Sequence, residues 1–129
     1  MGLLNSLKNT FSSAELDIWS KVSENFQLND VLKDSENHPQ LIYKHSNRCS
    51  VCFFAKAQIE GKGEEIKSLA DLHFLNVITY RGISNKVASE LNVRHESPQA
   101  ILINKGEVVW HASHGQVKGD AVLGELELI

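Results

Sequence analysis

Short runs of β-branched, aromatic and aliphatic residues alternate with helix-forming segments along this chain, and that alternation constrains its fold more than any other feature. Ile18, Ser20 and Val22 in "LDIWSKV" follow a two-residue period with Trp19 on the opposite face, which predicts a strand. "QLNDVLKDS" places Leu28, Val31 and Leu32 on one helical face, and it stops before Pro39, which disfavours a helical His38. "QLIYKHS" reads as a buried strand, "CFFAKAQIE" as a helix that ends or kinks at Gly61 and Gly63, and "LHFLNVITY" as another strand. Ser84 is the expected N-cap of a helix over "NKVASEL", with Asn92 as its left-handed C-terminal residue. "QAILIN" and "EVVWHAS" flank Lys105 and Gly106 as a hairpin, and the tail "GDAVLGELELI" forms an amphipathic helix. The order β-α-β-α-β-α-β-β-α predicts an α/β fold: a central sheet with helices on both faces and an antiparallel pair near the end.

With 129 residues, 42% of them hydrophobic and 22% charged, the chain suits a single domain around one core, with residues 1–15 as an N-terminal extension. A net charge of −3, without a basic stripe interleaved by aromatics, excludes nucleic acid as an expected partner. No apolar run approaches the roughly 20 residues that span a bilayer, so no membrane partner is expected. The opening "MGLLNSLKNTF" lacks the basic region, apolar core and cleavage site of a signal peptide, which points to the cytoplasm. Gly2 and Ser6 satisfy the short pattern for N-myristoylation, read here as a chance match.

Both cysteines fall in "KHSNRCSVC", at the predicted junction between a strand and a helix. A pair of this kind in a reducing compartment is more often catalytic or metal-binding than structural. If Cys49 occupies the first turn of the helix, unpaired backbone N–H groups and the positive end of the helix dipole favour its thiolate. Arg48 beside it, and Lys44 on the preceding strand, are expected to add positive potential and to lower the thiol further. Cys52, one turn on, is placed to attack a disulfide formed at Cys49. The alternative for Cys52, which precedes the apolar "FF", is a buried thiol that only packs.

Two motifs together carry a family resemblance. "LIYKHSNRCSVC", followed much later by "VRHESPQAILINKGEVVWHASH", resembles the YtxJ-like bacilliredoxins, thioredoxin-fold proteins of the bacillithiol redox system. The resemblance runs from about Ile18 to the C-terminal helix. It implies a thioredoxin-like fold with a mixed sheet and a thiol–disulfide oxidoreductase that removes bacillithiol from protein mixed disulfides or attaches it. No bound cofactor is implied; bacillithiol is a co-substrate, and the partners are bacillithiolated or disulfide-containing client proteins. The family's active cysteine falls on Cys49. The chain departs from the family motif at Asn47, Ser50 and Cys52, and the last of these gives a usually monothiol family a second thiol. A dithiol cycle, and a general thioredoxin-type reduction of protein disulfides, thereby become alternatives. "HESPQA" matches the place where thioredoxin-like proteins put a cis-proline facing the active cysteine, so the resemblance implies a cis Ser97–Pro98 bond whose Ser97 backbone pairs with an extended substrate. Arg94 and His95 precede it as candidates to meet bacillithiol carboxylates.

The remaining candidates are weaker. His111 and His114 with the cysteine pair sketch a Cys2His2 zinc site, but the spacing between and within the pairs is wrong for a sequence-local module, so no metal is expected. A zinc-binding adaptor and a redox-inactive interaction domain stay as readings from other functional classes. His45 is a candidate proton donor or acceptor beside the cysteines, and Glu96 a weaker one. Gly61 and Gly63 mark a turn, since no P-loop lysine follows them.

Overall fold

The structure is a computed structural model and describes residues 18–129. The N-terminal extension and the Gly2–Ser6 pattern lie outside the described residues. Five strands, β1 (Trp19–Lys21), β2 (Gln40–His45), β3 (Asp71–Asn76), β4 (Gln99–Asn104) and β5 (Glu107–Ser113), form one sheet in the order β1-β3-β2-β4-β5. β1 and β2 run parallel to β3, while β4 is antiparallel to β2 and β5 to β4. The sheet is therefore mixed, as expected. The helices are α1 (Phe26–Asp34), α2 (Ser50–Gly61), α3 (Gly63–Lys67), α4 (Arg81–Leu91) and α5 (Gly119–Leu126), with a short 3-10 turn over His114–Gln116.

The two-residue period of β2 divides the interior. Leu41 and Tyr43 face a cluster with Ala55, Ile59, Ile66, Leu102 and Val122, beneath α2, α3 and α5. Ile42 faces the other cluster, with Leu28, Val31, Ile83, Val87 and Ile103, beneath α1 and α4. Each fully buried Leu or Ile contributes roughly 1.5–3 kcal/mol of transfer free energy. β2 is buried along its whole length, the condition of a central strand covered on both faces.

Local chemistry accounts for the boundaries. The glycine pair does interrupt the helix: α2 ends at Gly61 and α3 starts at Gly63, with Lys62 as the hinge. Asn92 takes the left-handed conformation at φ 54 after α4. Lys105 and Gly106 both have positive φ, 52 and 78, which suits a two-residue hairpin turn following the twist of β4 and β5.

Three expectations need correction. β3 ends at Asn76 rather than running through "VITY", because the Asn76 carboxamide oxygen accepts the N–H groups of Ile78 and Thr79 at 3.0 and 3.1 Å and turns the chain. Ser84 is not an N-cap, since α4 begins earlier, at Arg81, and Ser84 is buried inside it. Ile18 packs with Trp19 in the first cluster rather than across from it, because it precedes β1 and escapes the strand's alternation.

Candidate active site

β2 delivers the chain to the C-terminal edge of the sheet, and the polypeptide turns there into α2. Cys49 is the residue at that turn. It is the extended N-cap of α2, at φ −125 and ψ 117, and is half-buried. The free N–H groups of the first turn surround its sulfur, and they hold the Cys49 thiol below the ordinary range: the Cys52 N–H contributes most, then the Cys52 thiol as donor, and then the Val51 N–H, against a modest opposing effect of burial. Cys52 lies one turn on and is completely buried. Burial pushes its thiol up to about 11, partly offset by the Ser46 N–H, which points at the sulfur from 3.4 Å, and by the Ser97 hydroxyl. The two thiols thus have opposite tendencies, one toward the thiolate and one toward the protonated form. Both are free thiols here.

The Ser97–Pro98 bond is cis, and the loop that carries it lies beside Cys52 at the start of β4. Two more backbone contacts brace the junction. The Cys49 N–H donates to the Ser46 carbonyl at 3.3 Å, and the Arg48 N–H to the Ser46 hydroxyl at 3.2 Å. Arg48 itself is exposed next to Cys49.

Lys44 is not brought to this place. Alternation along β2 sends its side chain to the face opposite Tyr43 and α2, where it is fully buried and its Nζ donates to the Ser84 carbonyl at 3.0 Å. The ionised state of Cys49 therefore owes its stabilisation to helix N-terminal donors rather than to this lysine. His95 is held by Lys44 and Ser84 on that same far face. Arg94 is exposed, and its carbonyl accepts from Gln99 at 2.9 Å.

Tyr43 and Ser46 were missing from the sequence-based candidates. The Tyr43 hydroxyl donates to the Cys52 carbonyl at 2.7 Å and lies 2.9 Å from Nδ1 of His45. A hydroxyl has one proton to give, so His45 supplies the proton of the second contact and is the Nδ1–H tautomer. Burial first, then the Lys56 ammonium, keeps that ring neutral. The available signal was the two-residue period itself, which puts residues 43 and 45 on the α2 face directly before the cysteines. Phe53 and Phe54, which follow Cys52, are 53% and 74% exposed. With Val51, Ala55, His114, Val117 and Lys118, Phe54 lines a cleft of about 360 Å³ on this end of α2.

Among the described residues no group of three or more His, Cys, Asp or Glu side chains is placed to hold a metal ion. His111 is exposed, and His114 Nε2 lies 2.9 Å from Glu96 Oε2, so neither faces the cysteines as a ligand pair. No helix among the described residues is long and apolar enough to cross a membrane.

Comparison with known proteins agrees with this geometry. A structure described as having a thioredoxin fold, and only provisionally assigned as an oxidoreductase, superposes with a TM-score of 0.75 at 30% identity, over 88% of this chain and 96% of that one. A mutant thioredoxin from Halobacterium salinarum gives 0.67 at 24% identity, over 87% and 90% of the two chains. Thioredoxin O2 from Arabidopsis thaliana, in its oxidised state, gives 0.68 at 15% identity, over 87% and 94%. The last two establish the fold alone. The sequence profile of the family described as "Monothiol bacilliredoxin BrxC" matches residues 20–122. With a thioredoxin fold, a match over most of its length and two thiols at the head of α2, this chain belongs to the bacilliredoxin family and is a thiol–disulfide oxidoreductase.

Proposed function

We propose that this protein removes bacillithiol from protein mixed disulfides, with Cys49 as nucleophile and Cys52 as resolving thiol. The observation that carries the reading is the placement of Cys49 among the open N–H donors of α2, which favour its thiolate. The Cys49 thiolate attacks the bacillithiol sulfur of the mixed disulfide. The new bond joins Cys49 to bacillithiol, the old disulfide breaks, and the client leaves as a thiolate that takes a proton from water. A second bacillithiol can then attack the adduct, releasing oxidised bacillithiol and restoring Cys49. Alternatively Cys52 gives up its proton and attacks Cys49, which releases bacillithiol and leaves an internal disulfide that two further thiols must reduce.

The family is described as monothiol, and Cys52 supports the second route here. Its protonated ground state keeps it from competing with Cys49 for the incoming disulfide, and its place one turn away keeps it within reach afterwards. Ser97 and Pro98 are proposed to receive the client backbone by strand addition, and the apolar cleft beside Phe54 to receive a neighbouring client side chain. Arg48 is the proposed partner of the bacillithiol carboxylates. Bacillithiol is the co-substrate, client proteins are the partners and the cytoplasm is the proposed setting. The second reading, a general protein disulfide reductase, rests on the same Cys52.

The test is intact-mass measurement of reduced protein after incubation with oxidised bacillithiol, for the wild type and a Cys52→Ser variant. The variant should keep one bacillithiol on Cys49, while the wild type should lose it and gain an internal disulfide. Absence of an adduct in both proteins would reject bacillithiol as the co-substrate.

A further inference from the structure

Lys44 is a charged side chain with none of its surface exposed, on the face of the sheet away from the cysteines. Its Nζ lies 3.0 Å from the Ser84 carbonyl and 3.2 Å from Nδ1 of His95, and the Ser84 hydroxyl lies 3.2 Å from that same nitrogen. An ammonium group only donates, so Nδ1 is the acceptor and the neutral ring carries its proton on Nε2. This is the opposite tautomer to His45.

His95 belongs to the segment that ends in the cis Ser97–Pro98 bond, and other groups clip that segment as well. Gln99 Nε2 donates to the Arg94 carbonyl at 2.9 Å, His114 Nε2 pairs with Glu96 at 2.9 Å, and the His114 N–H donates to the Pro98 carbonyl at 2.9 Å. A proton on Nδ1 of His95 would set that N–H against the Lys44 ammonium, which has no lone pair to accept it, and would leave the Ser84 hydroxyl to turn from donor to acceptor.

The groups facing His95 are Lys44 from β2, Arg81 from α4 and Glu96 from its own loop. Desolvation first, then the two cations, hold the ring below the ordinary histidine range, with Glu96 opposing. Burial also lowers Lys44, to about 8, but a neutral amine still donates, so alkaline pH leaves the contact intact.

We propose that Lys44 and His95 are positioning residues that hold the Ser97–Pro98 loop in the shape that receives a client polypeptide, and that protonation of His95 releases it. The part concerning clients rests on the function proposed above; the latch itself does not. Acid then weakens client binding separately from its effect on the Cys49 thiolate.

Histidine side-chain NMR on the full reduced chain tests the latch without any activity. His95 should be the Nε2–H tautomer with a midpoint below that of a free histidine, and Lys44→Met, a near-isosteric change, should raise that midpoint. An Nδ1–H tautomer in the wild type, or a midpoint that Lys44→Met leaves in place, overturns the latch. Steady-state kinetics with a protein mixed disulfide tests positioning. Between neutral pH and about pH 5.5 the wild-type KM should rise roughly three- to tenfold, the factor expected for loss of one hydrogen bond. In His95→Gln, whose carboxamide oxygen can accept from Lys44 at every pH, KM should stay level, while His95→Leu should show the raised value throughout. A KM that varies with pH alike in the wild type and His95→Gln overturns the positioning role. If no mixed disulfide is turned over, the functional reading fails and the NMR measurement still decides the latch.

Discussion

Two thiols one helical turn apart differ because of what surrounds each sulfur, and both environments come from the same turn of backbone. Cys49 sits outside the helix facing its free donors, while Cys52 sits inside it, against the sheet. The Cys52 thiol is also one of the donors that favour the Cys49 thiolate. Alkylation of Cys49 by iodoacetamide should therefore follow an ionisation below that of an ordinary thiol, and Cys52→Ala should move the midpoint of the pH–rate profile upward. Cys52→Ser, whose hydroxyl still donates, should move it less. Equal midpoints in the wild type and Cys52→Ala would mean that the second thiol has no part in activating the first. The residues themselves were legible in the sequence, as was their attachment to a helix N-terminus. The error over Lys44 arose because a strand buried on both faces has no polar alternation to mark which side each residue takes, although the period of two still assigns Tyr43 to the cysteine side and Lys44 to the other. The contact from Tyr43 to the Cys52 carbonyl joins a strand to a helix across a turn, and spacing in the sequence does not display it.

At the scale of elements, the site depends on how closely α5 approaches α2, because Val117 and Lys118, just before α5, form one wall of the cleft and Phe54 forms the other. The approach is set at Gly119. A Cβ there would lie 2.5 Å from the Gln58 carbonyl oxygen and 2.7 Å from the Lys62 side chain, and a backbone oxygen in a helix cannot step aside. Gly119→Ala should thus cost about 1–3 kcal/mol, the usual range for overpacking. Gly124, five residues further along the same helix, has open space around its Cα. There the same substitution should stabilise by about 0.5–1 kcal/mol, through lower backbone entropy in the unfolded chain. Urea denaturation of the two variants checks the pair, and equal changes would refute the close approach as the cause. The order of elements was readable from hydrophobic period and turn residues, since Asn92, Gly61, Gly63 and the Lys105–Gly106 turn all punctuate the chain as expected. Ser84 misled because a serine before a helical pattern looks the same as a serine within one, and only the fold reveals that its hydroxyl lies beside His95 rather than at a helix end.

Taken as a whole, the molecule holds several ionisable groups away from their ordinary proton affinities, a property that net charge does not report. His45, His73 and His95 are all held below the ordinary histidine range, with burial as the leading cause in each. The unfolded chain takes up protons at these positions before the folded chain does, so the stability they contribute is fully present above about pH 6.5 and is lost as pH falls through their lowered values. His45, which is buried, can contribute a slope of at most about 1.4 kcal/mol per pH unit, and the exposed His95 contributes less because solvent screens it. Lys44 has the same sign in another window. Its folded value of about 8 lies below the ordinary 10.5, so between those limits the unfolded chain holds the extra proton and stability rises with pH. Cys52 opposes this: its thiol stays protonated up to about 11, above the ordinary 9.0, and its contribution fades as pH rises between the two. A Lys44→Met variant isolates the lysine from these other groups. The difference in unfolding free energy, variant minus wild type, should be largest near pH 7 and should shrink by about 3 kcal/mol by pH 10.5, as the wild type ceases to hold a buried cation. Denaturant titrations of both proteins across that range measure it directly. A difference that does not change with pH would mean that Lys44 is solvated in the folded chain and titrates there as it does in the unfolded one, and the buried charge assigned to the centre of β2 would be wrong.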